Sequence, residues 1–294
     1  MCLYIGKRKG IILKKDLICY KQLEKQKDGT WKTPARSWII PKLDSMIFPD
    51  EDIPEISEND SKYQLDGGVI HAYLRISTRD TDELFYKALI PKGTELWIQD
   101  DLSEVASRKM YITSEEVSPE DATLDISILS HLGADLRLAS GERVPLSPDI
   151  NLSDVVGIYS GDKVILKDVN LDRVRFSEKP ISEVHGKSMK DATKDMDGEE
   201  NCKLLPPDLL VLREVRKQGG YLPALGELLE AFKNLLEVNI SRVTLGLPVI
   251  PYGWFWTSTL RDSETVWCCN SDGRWRSYYW NSYFGWYCYV VILS

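Results

Sequence analysis

The sequence predicts an α+β protein of two domains, and three observations carry that prediction. At 294 residues the chain is longer than one hydrophobic core usually organises. Both halves hold short stretches that alternate apolar and polar residues between glycine-bearing turns, the pattern of antiparallel strands. Helical spacing appears in residues 209–217 and again in 224–238, where Leu225, Leu228, Leu229, Phe232, Leu235 and Leu236 make one apolar face.

Taken in order, residues 3–5 and 11–13 read as two strands joined by the basic turn Lys7-Arg8-Lys9-Gly10. Residues 50–60 carry six acids together with Pro54, so they are expected as a solvated loop. Strands over 85–90 and 94–98 flank the turn Pro91-Lys92-Gly93. The first domain, α+β, is assigned to residues 1–120, a linker to 121–132 after the polar stretch 114–125, and the second domain to 133–294. In the second domain two hairpins are expected, one turning at Ser140-Gly141-Glu142 and one at Ser160-Gly161-Asp162. The helix over 209–217 stops at Gly219-Gly220. After the helix over 224–238, short strands are expected near 255–258, 265–269, 274–277 and 286–293.

The net charge of -8 argues against a nucleic-acid binder, because such a surface repels phosphates instead of releasing their counterions. No apolar run approaches eighteen residues, so membrane insertion is not expected. The opening residues lack the pattern of a secretory signal, which leaves a cytoplasmic or virion-carried protein. The six cysteines are too sparse for a disulfide scaffold, and thiols are expected. Adjacent Cys268 and Cys269 point to opposite faces on a strand, so they do not clamp one metal.

Catalytic patterns are missing. His71, His131 and His185 show no metal-ligand spacing, and no GxSxG, HExxH, P-loop or GxGxxG motif occurs. The acidic stretch 191–200 invites comparison with a calcium loop. With Asp195 and Asp197 at loop positions three and five, however, Thr193 occupies position one and Leu204 position twelve, so a capped helix start or acidic loop is the better reading. No catalytic residue, metal or cofactor is assigned.

The most informative segment begins at Gly253, which opens a stretch holding 13 of the 29 aromatic side chains and no acid after Asp272. Residues 276–289 read RSYYWNSYFGWYCY and set Tyr and Trp beside Ser, Asn and Gly, the vocabulary of binding loops. Two placements are open: the rings pack a small sheet, or they face a ligand. Trp254, Trp256 and Trp267 lie on apolar alternating segments and are assigned to the core. Ser277, Asn281 and Ser282 interrupt the other rings, and burying all of them would strand polar groups, which favours exposure. The candidate ligand-facing set is Arg261, Asp262, Arg274, Arg276, Tyr278, Tyr279, Asn281, Ser282, Tyr283 and Phe284.

Three segments in succession carry a family resemblance. Gly220-Tyr221-Leu222-Pro223-Ala224-Leu225-Gly226-Glu227-Leu228, then Trp254-Phe255-Trp256-Thr257-Ser258-Thr259, then Val266-Trp267 with Ser271-Asp272-Gly273 resemble the "YLPSxGEL … YWSST … AW … SDG" succession of C-type lectin-like domains. Upstream, Asp195-Met196-Asp197-Gly198-Glu199-Glu200-Asn201 resembles the "DMDGxxN" segment found in the variable proteins of diversity-generating retroelements, known from phages and gut bacteria. In that group a reverse transcriptase copies a template repeat with errors at adenines, and the copy replaces the 3′ end of the gene. Eleven of the 14 residues in 276–289 are Ser, Tyr, Asn, Phe, Gly or Cys, residues that such copying reaches. The chain departs from the group at its end, where Tyr287-Cys288-Tyr289-Val290-Val291-Ile292 stands in place of a "YVRPVR"-like ending.

The resemblance implies a C-type lectin-like fold with short twisted antiparallel strands and two helices, and a variable region over about 254–294. It implies a non-enzymatic protein whose C-terminal surface recognises a protein or cell-surface molecule. The formylglycine-generating enzymes share this fold, but their copper-binding cysteine pair is not placed among Cys268, Cys269 and Cys288. Two rivals stand beside this reading: an ADP-ribosyltransferase-like activity in the N-terminal domain, for which no catalytic Arg, Ser and Glu set is found, and an invariant glycan-binding subunit. Neither the ligand nor the oligomeric state is written in the sequence.

Overall fold

The computed structural model describes residues 3–5, 9–34, 39–50, 53–59, 62–76, 84–160, 163–165, 192–205, 210–217, 220–251, 253–261, 265–271 and 274–279. The chain divides into two compact units, Met1–Leu132 and Gly133–Ser294. The fold is mixed, with several antiparallel sheets and helices.

The first unit is built on an eight-stranded antiparallel sheet. Its strands are β2 (Ile11–Ile12), β3 (Leu17–Gln22), β7 (Ser45–Ile47), β10 (Ile70–Tyr73), β11 (Phe85–Ile90), β12 (Glu95–Ile98), β13 (Glu104–Ser107) and β14 (Met110–Val117), in the order β2-β12-β13-β10-β3-β11-β14-β7. Alternation explains the centre: Leu17 and Cys19 of β3 and Ala88 and Ile90 of β11 are buried, and Cys19 pairs with Ala88. The expected turn forms before β12. Thr94 N–H donates to the Pro91 carbonyl at 3.1 Å, and Gly93 takes a φ of 77°, where a side chain would be strained.

Two expectations fail here. The segments 3–5 and 11–13 do not make a hairpin. β1 (Leu3–Ile5) pairs instead with β9 (Lys62–Gly67), Leu3 opposite Leu65, while β2 pairs with β12. The long-range pairing wins because it buries Leu3, Ile5 and Leu65 against Trp97 and Ala106, at roughly 1.5–3 kcal/mol per large side chain. The acidic stretch is no loop throughout either, since β8 (Glu55–Asn59) pairs with β9 and puts partly buried Ile56 on the same cluster. Exposed Glu55, Ser57 and Glu58 make that edge acidic, a composition that discourages further pairing.

A third small sheet joins β4 (Glu24–Lys25), β5 (Trp31–Lys32) and β6 (Ile39–Ile40). Among the described residues the first unit has strands and two 3-10 turns, Ile126–Ile128 and Ser130–Leu132, and no α-helix. The described α-helices all lie in the second unit. The supposed linker starts folded onto the first unit, with Ala122 packed against Tyr20, Ile76 and Phe85 and the Tyr20 hydroxyl donating to the Thr123 carbonyl at 2.9 Å.

The second unit holds a four-stranded sheet of β15 (Leu136–Leu138), β16 (Arg143–Val144), β17 (Val155–Ser160) and β18 (Lys163–Ile165), ordered β16-β15-β17-β18. Both expected hairpins are in it. Among the described residues four helices follow: α1 (Gly198–Leu204), α2 (Leu210–Lys217), α3 (Leu225–Lys233) and α4 (Leu235–Thr244). The single helix expected over 224–238 is two. Asn234 leaves helical geometry at φ -118° and ψ 29° and donates its N–H to the Ala231 carbonyl, ending α3 and starting α4. The apolar face carries on across the break, since Leu228, Phe232, Leu235 and Val238 all enter one core with Leu136, Ile158, Phe255, Trp267 and Cys269.

The last described strands, β19 (Trp254–Leu260), β20 (Thr265–Asn270) and β21 (Trp275–Tyr279), form a three-stranded antiparallel sheet with β20 in the middle. Asn239 on α4 aims the chain into it, accepting the Ile250 N–H at 2.7 Å and donating to the Ile250 carbonyl at 3.2 Å. The Phe232 and Phe255 rings meet edge to face with centroids 5.0 Å apart, tying α3 to β19. Replacing Phe232 with Ala is expected to cost about 3–5 kcal/mol, read as a lowered urea midpoint followed by tryptophan fluorescence. A loss below about 1 kcal/mol shows that this contact does not organise the core.

Candidate functional site

The sheet that carries the predicted ligand-facing residues is held by a polar junction of residues far apart in the chain. Asp195, only 6% exposed, is its centre. Its Oδ2 accepts the Asn201 side-chain amide at 2.8 Å and the Thr259 hydroxyl at 2.7 Å. The same hydroxyl oxygen accepts the Leu225 N–H at 2.8 Å, and the Asp195 carbonyl accepts the Gly226 N–H at 2.9 Å. The loop before α1, the start of α3 and the end of β19 are thereby joined by one carboxylate and one hydroxyl.

Glu227 repeats the device one turn into α3. Its Oε2 accepts the Ala224 N–H at 2.8 Å and the Gly198 N–H at 3.1 Å, and its Oε1 accepts the Tyr221 hydroxyl at 3.0 Å. Ala224, the N-cap, has no side-chain acceptor to offer, so the helix end is satisfied from outside: Glu227 takes the Ala224 N–H, while Thr259 and Asp195 take those of Leu225 and Gly226. Asp197 caps α1 in the usual way, accepting the Glu200 N–H at 3.1 Å. Close approach demands glycine twice: a Cβ on Gly198 would lie 2.5 Å from Glu227 Oε2 and 2.6 Å from the Leu222 carbonyl, and one on Gly226 would lie 2.5 Å from the Asp195 carbonyl.

Burial raises the Glu227 carboxyl above its ordinary value, more than its three donors lower it. Tyr221 is pushed up by burial and then by the Glu227 charge, and burial takes the Cys202 thiol up to about 11. Cys202 Sγ sits against the backbone of Leu222, receiving its N–H at 3.2 Å. These are the properties of a sealed structural junction. Sequence reading found the motifs containing Asp195, Glu227 and Thr259 but not their meeting, which requires the fold.

The predicted ligand-facing residues are distributed differently. Arg261 is exposed just beyond β19, with its N–H on the Thr265 carbonyl at 3.0 Å and its guanidinium 5.8 Å from the Trp267 ring centre. Arg274 is exposed at the other end of β20, where its carbonyl accepts the Asn270 N–H at 2.7 Å. The length of β20 separates these two arginines by roughly 17 Å at about 3.3 Å per residue. Along β21, Arg276 lies opposite Cys268, Tyr278 opposite Val266 and Tyr279 opposite Thr265. Asp262, Asn281, Ser282, Tyr283 and Phe284 lie outside the described residues, as does the strand expected over 286–293.

The core assignment of the tryptophans divides: Trp256 and Trp267 are buried, whereas Trp254 is half-buried. All six residues of β20 are buried, Val266, Cys268 and Cys269 completely. Helices cover the Phe255, Trp267 and Cys269 face, and the face bearing Val266 and Cys268 is closed too. β20 is a spine, so any binding surface on this sheet begins at its margins and on the segment after β21.

The first unit has its own buried ionisable groups. The Lys21 ammonium is lowered to about 8 by burial and donates to the His71 carbonyl. Glu104 is raised to about 7 by burial and by the Asp101 charge. Cys19 is raised to about 12 by burial. They lie on the adjoining strands β3, β10 and β13. Among the described residues no group of three or more His, Cys, Asp or Glu could hold a metal ion, and no helix is long and apolar enough to cross a membrane.

No protein-family model, no curated protein and no solved structure matches the chain.

Two variants test the junction. Thr259→Val should lower stability by about 1–3 kcal/mol, because the Leu225 N–H and the Asp195 carboxylate both lose a buried partner. For Glu227 the sign follows from its raised value. The folded state binds this proton more tightly than the unfolded one, so the favourable contribution is complete below the ordinary carboxyl range and is lost as pH rises through the raised value. Urea titrations from roughly pH 4 to 8 should therefore show the Glu227→Gln variant gaining on the parent as pH increases. A pH-independent difference contradicts the raised carboxyl.

Proposed function

We propose that this chain is a non-enzymatic binding protein: a fixed, C-type lectin-like scaffold in the second unit presents a diversified C-terminal segment to a protein or cell-surface ligand, as the variable proteins of diversity-generating retroelements do. The observation that carries the reading is the junction. Asp195, Asn201, Gly226 and Thr259 lie in the segments through which the chain resembles that group, and they meet at Asp195 although Asp195 and Thr259 stand 64 positions apart, while Glu227 joins two of the same segments through Gly198. A chance scatter of short motifs has no reason to converge on one buried carboxylate.

The division of labour in the last sheet supports the same reading. Conserving a spine such as β20 while changing residues beyond it leaves the core untouched, and the segment 276–289 is rich in residues that supply contact area at small entropic cost. In this proposal Tyr278, Tyr279, Tyr283 and Phe284 are the aromatic anchors, and Arg261, Asp262, Arg274, Arg276, Asn281 and Ser282 supply polar contacts around them. Arg261 and Arg274, at opposite ends of β20, mark the two limits of the surface. The first unit serves as an adaptor.

Replacing Tyr278, Tyr279, Tyr283 and Phe284 together by Ala should move the melting temperature by less than about 4 °C, the shift that about 1 kcal/mol produces in a domain of this size. A larger fall identifies them as core and sinks the binding-face reading. Sequencing the DNA beside the gene is the second test: a near-copy of its 3′ end that differs mainly at adenines, next to a reverse transcriptase gene, is the expected result, and its absence removes diversification from the proposal.

A further inference from the structure

Met196 stands between Asp195, the centre of the junction, and Asp197, the cap of α1, and it is 37% exposed. Its side chain is nevertheless part of the junction. A Cβ placed on Gly226 would lie 2.7 Å from Met196 Sδ, 2.5 Å from the Asp195 carbonyl oxygen and 2.8 Å from the Thr193 carbonyl oxygen. The sulfur therefore rests on the first turn of α3, where the Gly226 N–H donates to the Asp195 carbonyl at 2.9 Å. Small solutes reach the residue from outside, while its sulfur is wedged against backbone that leaves no space for another heavy atom.

The polarity of this contact matters as much as its tightness. A thioether is a weak acceptor, so it sits beside the Thr193 and Asp195 carbonyls without needing a donor. A sulfoxide is polar and adds an oxygen, which changes a flexible apolar side chain into one that must be hydrogen-bonded. At Gly226 that oxygen meets two carbonyl oxygens, and the Gly226 N–H is already given to Asp195. A new acceptor in this place competes for that bond or goes unsatisfied.

We infer that Met196 is a modification site, where oxidation by a hydroperoxide loosens the junction and reduction restores it. With hydrogen peroxide the thioether sulfur attacks one peroxide oxygen. An S–O bond forms as the O–O bond breaks, the sulfur is oxidised to the sulfoxide, and the hydroxyl proton joins the departing hydroxide to leave as water. The added oxygen parts Met196 from Gly226 and weakens the hold of Asp195 on α3, and through Thr259 on β19. The inference uses the junction alone and is independent of what the C-terminal segment binds.

Two other methionines serve as references. Met46, on the edge strand β7 of the first unit, is 39% exposed, and Met110 on β14 is completely buried. Full-length protein is treated with hydrogen peroxide and then with dithiothreitol, which reverses thiol oxidation but not the sulfoxide. Peptide mass spectrometry should find one added oxygen on Met196 and on Met46 and none on Met110. The melting temperature, followed by tryptophan fluorescence, should fall by about 4 °C or more, and methionine sulfoxide reductases should restore it. Each variant is compared with its own untreated sample. Met196→Leu, a swap that nearly conserves volume, should show no fall on treatment, whereas Met46→Leu should fall as the parent does. Met196→Gln, which places a permanent polar group on Gly226, should melt lower without any peroxide. Met196 remaining reduced while Met46 is oxidised overturns the inference. So does complete oxidation of Met196 with an unchanged melting temperature, and so does an equal fall in treated Met196→Leu.

Discussion

The second unit depends on the hydrogen bond between Thr259 and the buried carboxylate of Asp195. A carboxylate taken out of water needs donors, and here they come from β19 and α1, while the start of α3 donates to the Asp195 main-chain carbonyl. Each therefore constrains the others. The Thr259 hydroxyl binds on both sides, so α3 can begin only where β19 already lies. Gly198 and Gly226 follow from the same demand, because backbone must come as close as backbone can. Glu227 then closes the helix end that Ala224 leaves open.

From that junction the rest of the unit can be built outward. Fixing α3 fixes Phe232 on Phe255, and with it the face of β19 that meets the helices. Asn239 on α4 holds Ile250 and so sets the approach of the chain to β19. β20 pairs with strands on both sides, and among the described residues β21 pairs with β20.

Local patterns were legible in the sequence, and long-range choices were not. The turn at Pro91–Thr94, the hairpins of β15 with β16 and β17 with β18, and α2 follow from turn chemistry and periodicity. The partner of β1 could not be read, because Leu3 to Ile5 suits any apolar neighbour and only the cluster at Trp97 and Leu65 decides between them. β8 was hidden by charge: its glutamates say solvent, and a strand whose one face is exposed satisfies that as well as a loop does. Asn234 broke a helix whose apolar face gave no sign of interruption. The parts of the junction could be quoted from the sequence, but nothing in their spacing tells that Thr259 touches Asp195 or that Glu227 reaches Gly198.

Cys268 and Cys269 sit side by side in the middle of β20, both completely buried thiols on successive, hence opposite, sides of the strand. Once the sheet has closed, no oxidant or alkylating reagent reaches either without opening it. Before then both are available to chemistry that the finished fold has no room to accommodate. These two thiols therefore have a reactive period that ends when the sheet closes, and the order in which β20 acquires its neighbours on the ribosome decides how long that period lasts.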